Sequence, residues 1–182
     1  MDNHGVRWGI IAGVLVAIYT VALYLVDPNY LFYVTLSLVG SIIYIFCMRK
    51  AGLETRSDMG GYMTWGEAMK PTFITYAVGT LIGTIFMYVL FMVDESLPSL
   101  QYDSALASQQ WIMESMGAPP DAIDQAREQM EAQMSPEQFE PSLLNSIKYY
   151  LGGLAIGGFI LSAIISAIIR KKKPDDLILD QS

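Results

Sequence analysis

The chain has 182 residues, of which 53% are hydrophobic and only 16% charged, and its formal net charge is −7. Soluble domains carry about 25% charged residues, so this composition excludes an ordinary water-soluble globule and points to lipid. The single cysteine, Cys47, excludes an intrachain disulfide framework and reads as a small buried hydrophobe.

The first apolar run covers residues 8–26 and contains no Asp, Glu, Lys, Arg or His. A helix rises about 1.5 Å per residue, so roughly 20 residues cross a hydrocarbon core of about 30 Å. The run is longer than the apolar region of a signal peptide, and no small-x-small cleavage site follows it, so it is expected to remain as a span. It ends at Val26-Asp27-Pro28-Asn29, a turn signal. The second run, 31–48, is also free of charge and starts almost at once. His4, ahead of the first span, has no sequence neighbour at metal-ligand spacing and predicts no metal site.

Between the second and third spans, Thr64-Trp65-Gly66-Glu67 fits a capping box. The Thr64 hydroxyl accepts from the backbone N–H of Glu67, and the Glu67 carboxylate reaches back to the N–H of Thr64. This predicts a helix that begins at the membrane surface and runs into the third span, 71–93, with Pro71 kinking it. Gly60-Gly61 suits a sharp turn upstream. No strand precedes these glycines and no Lys-Ser/Thr pair follows, so they are not a phosphate loop.

Residues 94–148 hold ten acidic residues against two basic ones. Two helices are readable there, over about 99–116 and 120–134. Gly117-Ala118-Pro119-Pro120 separates them, and Asp121 and Asp124 fall where a helix dipole favours anions. Ser135-Pro136 resembles a fresh N-cap, and Pro141 forbids one long helix into the fourth span, 149–169. Arg170, Lys171, Lys172 and Lys173 then read as a stop-transfer anchor.

Nine of the 11 basic residues flank the spans on one side: Arg7, Arg49, Lys50, Arg56, Lys70 and the four at 170–173. The positive-inside rule predicts both termini in the cytoplasm and 94–148 outside. Trp8, Tyr62 and Trp65 at one boundary, with Tyr30, Tyr33, Tyr149 and Tyr150 at the other, form the expected aromatic belts.

Small residues recur every fourth position: Gly9 and Gly13, Gly79 and Gly83, then Gly153 and Gly157. In lipid, helices associate through close backbone approach, so these faces either pack the bundle internally or meet in a homo-oligomer. The spans carry none of the ionisable groups that pumps use and no paired nucleophile and base. No catalytic, cofactor-binding or metal-binding residue is predicted, and the chain is expected not to be an enzyme.

Gly61-Tyr62-Met63-Thr64-Trp65-Gly66-Glu67-Ala68 before a span, the Val93-Asp94 exit, the acidic Met- and Gln-rich stretch 125–134 and the Lys tail resemble the domain-of-unknown-function four-one-nine-nine family. Those proteins, mostly from Bacteroidetes, have four predicted spans, and the resemblance covers nearly the whole chain. It implies a bacterial inner membrane, with 94–148 periplasmic. It brings no activity, cofactor or catalytic residue.

The sequence therefore predicts an all-α integral membrane four-helix bundle, one membrane domain over 1–182. A helical extracytoplasmic insertion occupies 94–148, and 170–182 is a cytoplasmic tail. The expected function is that of a non-catalytic interaction or accessory protein, with the lipid bilayer and a protein bound through 94–148 as partners and no nucleic acid. The alternative is a subunit of a small oligomeric transporter or channel, suggested by the glycine faces and the hydroxyls of Thr72, Thr75, Thr80 and Thr84.

Overall fold

The computed structural model describes residues 3–171. Lys172, Lys173 and the rest of the predicted tail to residue 182 lie outside the described residues. Among the described residues seven α-helices follow in order: α1 (His4–Val26), α2 (Val34–Asp58), α3 (Trp65–Val93), α4 (Leu97–Ser115), α5 (Pro120–Gln133), α6 (Leu143–Gly153) and α7 (Phe159–Ile169). A single π-helical turn, Leu154–Gly158, joins α6 to α7, so Leu143–Ile169 is one rod. That rod, α1, α2 and α3 are each long and apolar enough to cross a membrane. The protein is an all-α, bundle-like, multi-pass membrane protein. Its two ends differ in charge: a basic end, where α1 begins and α7 finishes, and an acidic end, where α3 hands over to α4.

Local chemistry sets the helix limits. Asp27 accepts from the backbone and side-chain nitrogens of Asn29, and Pro28 opens a 3₁₀ turn over Pro28–Phe32. Leu31 and Phe32 therefore belong to the connection and not to the second span, which begins at Val34. At its other end α2 continues past Met48 to Asp58, because charge stops a span but not a helix. The capping box at α3 is complete: Glu67 Oε2 accepts from Thr64 N at 2.7 Å, and Thr64 Oγ1 accepts from Glu67 N at 3.3 Å. Ser135 caps no α-helix, and only a 3₁₀ turn, Pro136–Phe139, follows it. The cap of the fourth rod is Ser142, so α6 starts before residue 149 and carries Lys148 within it.

The bundle is tight at its basic half. There Met48, Met63, Ala68, Ile165 and Ile169 form a buried cluster beside Cys47 and Ala51. The buried hydroxyls of Thr72 and Thr75 are spent on backbone carbonyls. Thr72 donates to Ala68 O and lies 3.1 Å from Ser166 Oγ, while Thr75 donates to Pro71 O at 2.8 Å and also to Gly5 O on α1. Thr72 and Thr75 thus sit inside a packed seal, whereas Thr80 and Thr84 face a cavity beyond it. The four hydroxyls do not line one path.

Three glycines of α1 lie on α3. A methyl on Gly9 would come within 2.7 Å of Val78 Cβ, one on Gly13 within 2.7 Å of Ile82 Cβ, and one on Gly5 within 2.9 Å of Pro71 O. Gly79 receives the α1 backbone on one side and the Tyr44 ring on the other, and Gly83 lies under the Tyr44 hydroxyl. Gly157 and Gly158 take the Tyr76 ring in the same way. Gly153 differs from the other five of the expected packing set: among the described residues nothing lies within 4 Å of a methyl built there, so it makes no close approach inside the bundle. It shares the spacing of Gly157 but falls on the open side of α6.

Candidate functional site

Where the basic half closes, the acidic half opens. Two cavities of about 380 and 250 Å³ share Val16, Thr20, Tyr44 and Met87 in their walls. The larger is bounded by α1, α3 and α6, and at its acidic end by Gln101 of α4 and the stretch Gln138–Ser142. The smaller reaches between α1 and α2 to Leu36, Gly40 and Leu161. The opening arises because α6 packs on α3, while α2 packs on α7 without comparable contact to α6. The π-helical turn between α6 and α7 sits at the level where the rods diverge, and such turns frequently accompany functional sites. Tyr150 Oη donates to Ala77 O at 3.1 Å and ties α6 to α3 at that level.

The tyrosines on the cavity floor are the informative groups. The Tyr44 and Tyr76 rings stand 5.5 Å apart, and among the described residues neither hydroxyl has a hydrogen-bond partner. By contrast, Thr20 and Thr80 donate to Val16 O and Tyr76 O of their own helices.

Beyond the bundle, α4 is rooted by buried Leu97 and Pro98 and by Tyr102, which meets Phe139 edge-on at 6.3 Å. Past that root, α4 and α5 form a two-helix arm, and α5 packs appreciably on α4 alone. Leu106, Met113, Ile123, Ala126 and Met130 line the narrow cleft between them. At the tip Trp111 is 68% exposed and Met116 81% exposed, with Ile112 beside them. Residues 97–134 carry six acidic side chains and one basic one. The Arg127–Glu131 pair along α5 is a surface contact of little energetic weight.

Asp94 fastens the arm to the bundle. It accepts from the Ser96 hydroxyl at 2.7 Å, from Ser96 N at 2.9 Å and from the Tyr24 hydroxyl at 2.8 Å. The Ser96 hydroxyl, then the Ser96 N–H, then Tyr24 hold its carboxyl below the usual carboxylate range. The stabilisation is therefore complete above the ordinary value of about 4 and disappears as pH falls through the lowered one. We expect hydrogen exchange at residues 94–100, corrected for intrinsic rate, to be faster at pH 3 than at pH 6 in the wild type. In Asp94→Asn that difference should shrink. A wild-type junction equally protected at both pH values would show that Asp94 does not fasten it.

At the basic end the structure gathers a cluster that sequence spacing left scattered. Glu54 Oε2 accepts from Arg7 Nη2 at 2.6 Å and from Trp8 Nε1 at 2.8 Å. His4 Nε2 lies 2.7 Å from Asp58 Oδ2, and its Nδ1 is 3.1 Å from Glu54 Oε2 but off the line of a hydrogen bond. His4 is thus not isolated: its side chain is 12% exposed and held by two carboxylates of α2. A signal was present in the sequence. A basic side chain in the first turns of α1 and acidic ones in the last turns of α2 each oppose their own helix dipole, and pairing across antiparallel ends offsets both. Arg56 donates to Ile169 O at 2.8 Å and satisfies a carbonyl at the end of α7.

A family model described as Protein of unknown function (DUF4199) matches residues 7–171. No curated protein and no solved structure matches the chain.

Proposed function

Starting from the fact that the chain belongs to the DUF4199 family of proteins of unknown function, we propose that it is a non-catalytic accessory protein of a bacterial inner membrane. In this reading it presents the α4–α5 arm to a protein partner in the periplasm, with both termini in the cytoplasm. The observation that carries it is the exposed tip of Trp111, Ile112 and Met116 on an arm whose outer helix, among the described residues, packs appreciably on α4 alone. Isolated short helices are marginal in water, and a thin Met- and Ala-lined cleft adds little burial. Exposed tryptophan is a favoured anchor in protein interfaces. The acidic arm suits a partner whose apolar pocket is ringed by basic residues.

A photoreactive amino acid at Ile112, with the tagged protein crosslinked in living cells, tests this. One discrete crosslinked protein is expected, and Trp111→Asp should abolish the adduct while leaving the membrane level of the protein unchanged. Crosslinks to lipid or to a second copy alone would defeat the proposal. Orientation is checked separately: a reporter at Gly117 should be active only in the periplasm and one at Asp58 only in the cytoplasm. Reversed signals would overturn it.

A further inference from the structure

We propose that the adjoining cavities of the acidic half bind a neutral, single-chain amphiphile bearing a carbonyl oxygen, drawn from the leaflet on that side. This does not depend on the reading of the arm.

Val16 and Thr80 lie near the middle of the apolar runs 8–26 and 71–93, and Phe91 lies near the acidic-side boundary. From Thr80 to Phe91 a helix climbs roughly 16 Å, about half of a 30 Å hydrocarbon core. The void is therefore one leaflet deep. A space of this size left empty would deprive its lining atoms of dispersion partners. The larger chamber, about 380 Å³, falls in the lower part of the roughly 300–1,000 Å³ range of small-molecule sites. That suits one chain and not two.

Chemistry narrows the occupant. Polar groups in a low-dielectric site cost free energy unless hydrogen-bonded. Among the described residues the hydroxyls of Tyr44, which lines both chambers, and of Tyr76, which lines the smaller one with its oxygen close to Gly157, have no hydrogen-bond partner. The wall and rim add the Thr84 hydroxyl and the side chains of Gln101, Asn145 and Ser146, none of which hydrogen-bonds within the described residues. Phenol donors at the deep end call for an acceptor oxygen on the ligand, and a carbonyl supplies one without charge. Among the described residues no Lys, Arg or His lines either chamber, whereas Glu140 stands at the rim. A phosphate headgroup would meet a carboxylate and no cation, so a neutral head fits. Access comes from the side, where α2 and α6 do not close on each other.

Two sources share this chemistry, acylglycerols and quinones, and the experiment separates them. The full chain in nanodiscs would be photolabelled with a monoacylglycerol carrying a diazirine in its tail, and the labelled peptides mapped by mass spectrometry. Label is expected to concentrate on residues 80–91 and 142–149. Excess of a short-chain benzoquinone that displaces it assigns a quinone-class occupant, and failure to displace assigns an acylglycerol; either result keeps the site. Tyr44→Phe and Tyr76→Phe keep the ring packing on Gly79 and Gly158 while removing one donor each. Each should weaken labelling about fivefold with the protein still monodisperse. Thr84→Trp should fill the chamber and remove most of the label. Label spread evenly over lipid-facing positions such as Ile18 and Ile85 and unmoved by these variants would overturn the proposal. Equal labelling of 80–91 and 142–149 by a photoreactive phosphatidylglycerol would overturn it too.

Discussion

Replacing Gly9 by Leu should destabilise the bundle by about 1–3 kcal/mol or more, the range for overpacking a close-fitting core. A methyl at Gly9 already comes within 2.7 Å of Val78 Cβ and 3.0 Å of the backbone oxygen of Thr75. The backbone cannot swing aside as a flexible side chain can. Relief would require α1 to move off α3, which would also separate Gly13 from Gly79 and break the Thr75 hydrogen bond to Gly5 O. The measurement is an unfolding midpoint in mild detergent against added sodium dodecyl sulfate. Gly153→Leu is the matched control. It obeys the same four-residue spacing but meets nothing within 4 Å, so its midpoint should stay at or slightly above wild type, as expected for removing a helical glycine. Equal losses in both variants would sink the account of the α1–α3 seam.

Glu54→Ala is expected to cost about 2 kcal/mol, from the range of 1.5–3 kcal/mol for hydrogen bonds to charged groups and the penalty of a stranded donor. One carboxylate oxygen serves both Arg7 and Trp8 Nε1, with His4 alongside. Arg7 is half-exposed and its share is screened by water, so most of the loss should come from the partly buried indole N–H. Glu54→Gln retains an acceptor for Trp8 and should recover part of the loss. Hydrogen exchange over residues 4–9 should rise in Glu54→Ala and only partly in Glu54→Gln. Unchanged exchange in Glu54→Ala would mean that this carboxylate does not anchor the start of α1.

Much of the fold was legible because its signals are local. The charge-free runs, the Thr64–Glu67 box, the breaker at 117–120 and both arm helices each depend on residues within a few turns of one another. The misreadings share one origin. Leu31 and Phe32 look like membrane residues by composition, yet Asp27 and Pro28 draw them into a 3₁₀ turn, where Phe32 packs edge-on against Phe91 at 6.2 Å. The second apolar run stops at Met48, yet α2 continues through the charged stretch to Asp58 and carries Glu54 and Asp58 to α1.

The candidate sites were less legible than the fold. Trp111 and Met116 stood in the predicted first arm helix, but their exposure depends on α5 lying on the opposite face. Nothing in the order of residues sets Tyr44 beside Tyr76, because α2 and α3 meet only once the chain has turned.

The sequence by itself determined which segments are apolar enough for lipid and where most helices start and stop. Transfer free energy adds up residue by residue, and caps act within one turn. Only the tertiary structure decided which glycines are needed, which charges find partners and where the bundle stays open. Those outcomes depend on which faces meet across long stretches of chain, so Gly13 and Gly153, alike in spacing, end with opposite roles.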